Sequence, residues 1–144
     1  MKILILGDVM GLPGRKALKK NLTNIIKEHQ IDFSVINGEN AADDGKGITK
    51  DIAEELFSLG IDVITSGNHI WDKQETTTYI ETENRLLRPA NLAQGSPGRG
   101  YGIFSSKKVE VHEKSFNSFT SFLSKFSLNN FKVLFFISLI LIFL

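Results

Sequence analysis

At 144 residues the chain is long enough for one domain with its own core, and a formal net charge of +1 with no lysine or arginine run longer than a pair argues against stable nucleic-acid binding. Cysteine is absent, which removes disulfide scaffolds, thiolate metal sites and cysteine nucleophiles together. The vocabulary changes near Ser115: all 12 glycines lie at or before Gly102, whereas beyond Ser115 there is no Gly, Pro, Asp or Glu and eight of the 11 phenylalanines occur.

Residues 2–6 (KILIL) form a short apolar run that stops at Gly7-Asp8, the pattern of a buried parallel strand ending in a functional loop. Because the chain opens on this strand rather than on a signal peptide's apolar region and cleavage site, the expected compartment is the cytoplasm. Met10-Gly11-Leu12-Pro13-Gly14 reads as a turn. A helix follows over residues 15–29, with Leu18, Leu22, Ile25 and Ile26 on one face and Lys16, Lys19, Lys20 and Lys27 on the other.

Residues 33–36 make the second strand, which ends at Asn37-Gly38-Glu39-Asn40. Beyond the glycine-containing loop at 43–47, Thr49 caps a helix whose Ile52, Ala53, Leu56 and Phe57 face inward, and Gly60 closes it. Residues 61–65 are the third strand. Asp72 and Glu75 have capping-box spacing for a third helix, which must end before Pro89. Residues 101–104 and 109–112 read as the two strands of a hairpin, with Val109 and Val111 alternating against charged neighbours. The strand-helix order implies an α/β fold with a largely parallel sheet.

Each of the first three strands delivers a polar residue or pair to the same rim: Asp8, then Glu39-Asn40, then Asn68-His69. Convergent oxygen and nitrogen donors at strand ends are how an open α/β sheet builds a metal site. Asp8 suits one divalent ion, Glu39 can bridge two, and Asn68 offers a carbonyl oxygen to the second. Asn40 and His69 then lie beside a substrate. The chemistry that needs such a set is phosphoester hydrolysis, in which paired ions activate water and a histidine protonates the leaving oxygen. Each residue also has a plainer role: Asp8 as a helix cap, Asn40 and Asn68 as turn residues, His69 as a hydrogen-bonded surface side chain. The glycines at 7, 11 and 14 match neither a Walker loop nor a dinucleotide fingerprint.

Four ordered segments carry a resemblance. Gly7-Asp8-Val9-Met10-Gly11-Leu12-Pro13-Gly14-Arg15, Asn37-Gly38-Glu39-Asn40-Ala41-Ala42, Ser66-Gly67-Asn68-His69-Ile70-Trp71-Asp72 and Leu87-Arg88-Pro89-Ala90-Asn91 resemble the bacterial calcineurin-like metallophosphoesterases that act on 2′,3′-cyclic nucleotides. The resemblance implies the N-terminal part of a four-layer αββα sandwich with two divalent ions of iron or manganese type. It implies metal ligation by Asp8, Glu39 and Asn68, with Glu39 bridging, and a catalytic place for His69 and Asn40. Trp71 and Asp72 shape the His69 loop, and Arg15 and Arg99 are either phosphate contacts or exposed arginines.

The family pattern covers residues 1–114, and its second-half histidines have no counterpart in residues 115–144. The expectation is therefore a truncated phosphodiesterase whose ions are incompletely ligated and whose activity is impaired. The rival expectation is a noncatalytic remnant that associates with itself or another surface through its apolar tail. Residues 133–144 are apolar except for Ser138, too short a run to span a bilayer. His112, in an alternating strand, is expected at the surface.

Overall fold

The computed structural model describes residues 1–106, together with the backbone of two later strands, Glu110–Lys114 and Leu134–Phe136. The elements in chain order are β1 (Ile3–Asp8), α1 (Gly11–His29), β2 (Phe33–Asn37), α2 (Lys50–Ser58), β3 (Val63–Thr65), α3 (Gln74–Thr82), β4 (Leu86–Leu87), β5 (Tyr101–Ser105), β6 (Glu110–Lys114) and β7 (Leu134–Phe136). A 3-10 turn, Asn68–Trp71, lies between β3 and α3. The fold is mixed α/β. Strands β4, β3, β2, β1 and β7 stand side by side in one parallel sheet, and β5 pairs antiparallel with β6.

Alternation along each strand divides the apolar residues between two faces. Leu4, Ile36, Ile64 and Leu86 join Leu22, Ala53, Leu56, Ile70 and Ile80 in the core beneath the helices. Ile3, Ile5, Phe33, Val35, Val63 and Leu87 form a second cluster on the opposite face, packed by Met1 and Phe104. The rings of Phe33 and Phe104 lie 6.2 Å apart, so β5 contributes to covering that face.

Helix α1 begins at Gly11, four residues before the expected start, and takes in the segment that reads as a turn. Pro13 is accommodated because N–H groups in the first helical turn have no intrahelical partner to lose. The lysines at 16, 19, 20 and 27 are exposed and Leu22 is buried, as the periodicity requires. Thr49 caps α2 by accepting from the Ile52 N–H at 3.2 Å. Gly60 takes the left-handed conformation just past that helix, with φ of 100°.

The capping box at Asp72 and Glu75 does not form. Lys73 precedes α3 without a side-chain cap, Glu75 accepts from the Lys50 N–H, and Asp72 pairs with His69. Strand β4 escapes the sequence reading because two leucines before a proline are too short to show a period. The hairpin forms with Tyr101 opposite Lys114 and Ser105 opposite Glu110.

The helical spacing of Phe116, Phe119, Leu123 and Phe126 and the side chain of His112 lie outside the described residues. Of the tail, the described part is β7, whose backbone runs parallel to β1 with Leu134 opposite Leu4. No helix among the described residues is long and apolar enough to cross a membrane.

Candidate functional site

Parallel strands with the helices as crossovers put the carboxyl ends of β1, β2 and β3 on one edge, in sheet order. Asp8 pairs with Asn37, and Asn37 pairs with Thr65, so the residues just beyond them become neighbours. The register slips between Leu6 and Asp8, where β1 carries one residue more than β2. Such a bulge breaks the alternation and frees Asp8 from the helix-covered face of Leu4 and Leu6.

A run of contacts then crosses the rim. The Asp8 carboxylate accepts from the Asn40 side-chain amide at 2.7 Å. The Glu39 N–H donates to the Asn37 side-chain carbonyl at 3.1 Å, which fixes the loop that presents the Glu39 carboxylate. That carboxylate accepts from the His69 N–H at 3.3 Å, while Nδ1 of His69 lies 2.8 Å from an Asp72 oxygen. Asn68 opens the 3-10 turn, exposed, between Gly67 and His69. All five sequence-selected residues therefore lie on one rim: Asp8 touches Asn40, and Glu39 touches the backbone of the turn that carries Asn68 and His69.

Three supporting residues were not singled out as site residues from the sequence. Gly67 is buried directly under the Glu39 carboxylate, and a Cβ there would overlap both carboxylate oxygens. Ser66, 1% exposed, donates to the Leu87 carbonyl at 2.7 Å and ties this loop to β4. Gly47, with φ of 74°, lets the 41–48 loop press on the His69 turn; its Cβ would lie 2.9 Å from the His69 carbonyl oxygen. Glycine beside Asn-His was the one available signal, since nothing local in sequence reports a close approach between loops.

Arg15 is not an exposed arginine. It is 8% exposed, donates to the Ala41 carbonyl and meets Asp43 at 2.6 Å, with Glu55 at 3.6 Å. It pins the start of the loop behind Asn40. A hollow of about 450 Å³ beside it is lined by Arg15, Asp43, Asp44 and Lys73 and includes none of the five rim residues. Its cations are already matched, Arg15 by Asp43 and Lys73 by Asp44, and the Lys73 ammonium lowers the Asp44 carboxyl below its ordinary range. Arg99 is exposed.

The donor chemistry fits a divalent ion. Asp8, Glu39 and Asn68 offer hard oxygens, and Gly67 makes room for the Glu39 carboxylate. The number of donors is short: among the described residues no three His, Cys, Asp or Glu side chains stand close enough to enclose an ion.

Comparison with known proteins identifies the family and the fold. The family model described as YmdB-like protein matches residues 4–130. A 2′,3′-cyclic-nucleotide 2′-phosphodiesterase of Bacillus subtilis (strain 168) is 46% identical over 111 residues, covering 77% of this chain and 42% of the relative. A crystal structure titled as a novel phosphatase from Mycoplasma pneumoniae superposes with a TM-score of 0.72 at 30% identity, covering 79% of this chain and 42% of that one. A hypothetical protein from Thermus thermophilus gives a TM-score of 0.70 at 34% identity, over 76% and 42% of the two chains. The chain thus spans about 42% of the length of the relatives it matches. With four motifs in order on one rim and a family match over most of its length, the chain belongs to the YmdB-like protein family.

Proposed function

We propose that the rim is the carboxylate-and-amide part of a metal-dependent phosphodiesterase site, and that its substrate is a 2′,3′-cyclic nucleotide or a related phosphodiester. The observation that carries this reading is the line of contacts along the rim, Asp8 to Asn40 and Glu39 to His69. Its substrate class follows the Bacillus subtilis relative.

Asp8, Glu39 and Asn68 would hold divalent ions of iron or manganese type. When bound, such ions supply an activated water and charge stabilisation at the phosphoryl oxygens. Asn40 aligns Asp8 by donating to it. Asp72 engages Nδ1 of His69, which orients the ring and turns Nε2 outward; in the imidazolium form, stabilised by the Asp72 carboxylate, the Nε2–H protonates the leaving oxygen and leaves the ring neutral with its remaining proton on Nδ1. The Glu39 carboxylate is held from two sides, by the His69 N–H and by the bare Cα of Gly67, so little reorganisation accompanies ion capture.

Two carboxylates and one amide are too few for two complete shells, so turnover by these residues alone is slow. The test is hydrolysis of bis-p-nitrophenyl phosphate and 2′,3′-cyclic AMP by the purified chain with added manganese. The expected result is manganese-dependent turnover well below the roughly 10 s⁻¹ of a median enzyme, lost in Asp8→Asn. Turnover that survives both chelator and Asp8→Asn would overturn the reading.

A further inference from the structure

Arg88 stands one residue past β4, the fourth strand of the same sheet. Leu87 pairs with Thr65, and Ser66 bonds to the Leu87 carbonyl, so Arg88 emerges beside the Ser66-Gly67-Asn68 loop. Its backbone is fixed as well, since the Arg88 N–H donates to the Arg99 carbonyl at 2.9 Å.

The side chain is half-buried and unusual in its partners. Nη1 donates to the Pro89 carbonyl at 2.9 Å, while Nε, like that of Arg15, is shut away from solvent with no hydrogen-bond partner. Arg15 and Arg85 each meet a carboxylate at 2.6 Å; Arg88 meets none among the described residues. A guanidinium keeps its charge in proteins, so partial burial without a counterion leaves its desolvation unoffset. An anion meeting the outer guanidinium N–H groups, which are not shut away as Nε is, offsets the charge through space, and a phosphate oxygen is a suitable acceptor there.

We propose that Arg88 anchors a non-bridging phosphoryl oxygen of the substrate at the β4 end of the rim, opposite the Asp8 end. The proposal rests on the phosphodiesterase reading for the identity of its ligand, but its test separates the two. The Asp8 and Glu39 carboxylates would repel a phosphodiester approaching without metal; Arg88 supplies fixed positive charge from the protein itself.

Inorganic phosphate is the probe. In the wild-type chain, phosphate should slow phenylglyoxal modification of Arg88 at least threefold, read peptide by peptide by mass spectrometry. Arg88→Gln should weaken phosphate binding, measured calorimetrically with manganese present, at least tenfold, and Arg88→Lys should recover part of it. Manganese affinity, read by electron paramagnetic resonance, should stay within twofold in both variants. Equal labelling of Arg88 with and without phosphate, or phosphate affinity unchanged in Arg88→Gln, overturns the anchor. Manganese binding indifferent to Asp8→Asn, with Arg88 still protected, overturns the metal reading and leaves the anchor standing.

Discussion

The Glu39 carboxylate occupies the volume that a side chain at residue 67 would fill, so Gly67 and Glu39 form one structural unit across the β2 and β3 strand ends. Gly67 has a φ of −143°, which other residues adopt, so its requirement for glycine is steric. Gly67→Ala should therefore push Glu39 aside rather than strain the backbone. The expected outcome is a loss of manganese affinity of about tenfold or more, in the range seen when a ligand's support is disturbed, with an almost unchanged circular dichroism spectrum. A metal titration of the variant against wild type checks it.

The His69 and Asp72 side chains meet at 2.8 Å, which places the Nδ1 proton between them when the ring is neutral. Asp72→Asn removes the negative partner and lets the ring turn. Hydrolysis with manganese should fall roughly tenfold to a hundredfold while manganese binding holds. Nitrogen chemical shifts of His69 provide the direct measurement, with the Nδ1-H tautomer dominant in wild type and mixed in the variant.

Arg15 shares the Ala41 carbonyl, Asp43 and Glu55 from a buried position. Arg15→Ala empties that position and leaves the 41–48 loop without its anchor. Because Asp43 is 74% exposed, the loss falls below that of a fully buried pair, about 2 kcal/mol. Urea unfolding should report it, and limited proteolysis should show faster cleavage near Asp43.

Glu83 meets Arg85 at 2.6 Å, and that hydrogen bond holds the Glu83 carboxyl below its ordinary value of 4.5. A carboxyl with a lowered folded-state value contributes stability above the unfolded value. That contribution disappears as pH falls from about 4.5 through the folded value. Arg85 also stacks on Phe57 at 3.8 Å, so the pair braces α2. Glu83→Gln should lower the melting temperature at pH 7 and flatten its decline below pH 5, as thermal unfolding at a series of pH values would show.

Thr49 supplies the side-chain cap of α2. Thr49→Ala should cost about 1 kcal/mol, measured by chemical unfolding, and Thr49→Ser should restore most of it.

Periodicity and strand ends are legible in the sequence because they are local. The apolar run at Ile3 to Leu6, the helical spacing of Leu18, Leu22, Ile25 and Ile26, and the polar residues following each apolar run identify the order of elements and the rim residues Asp8, Glu39, Asn40, Asn68 and His69. Apolar burial enforces these patterns wherever one face must leave water. The start of α1 is not legible, because Gly11, Pro13 and Gly14 have the chemistry of a turn and a helix's first turn tolerates them equally well. Asp72 and Glu75 have the spacing of a cap, but both side chains find partners outside it.

By itself, then, the sequence determined an α/β chain whose acids and amides fall at strand ends, since those features depend on neighbours within a few residues. Tertiary structure alone decided that Gly67 seats Glu39, that Arg15 is buried under the 41–48 loop, and that Arg88 stands past the end of β4 with a buried Nε and no counterion among the described residues. The first two are contacts between residues far apart in the chain and the third is a deficit, and in each excluded volume or desolvation acts through space and leaves no period along the chain.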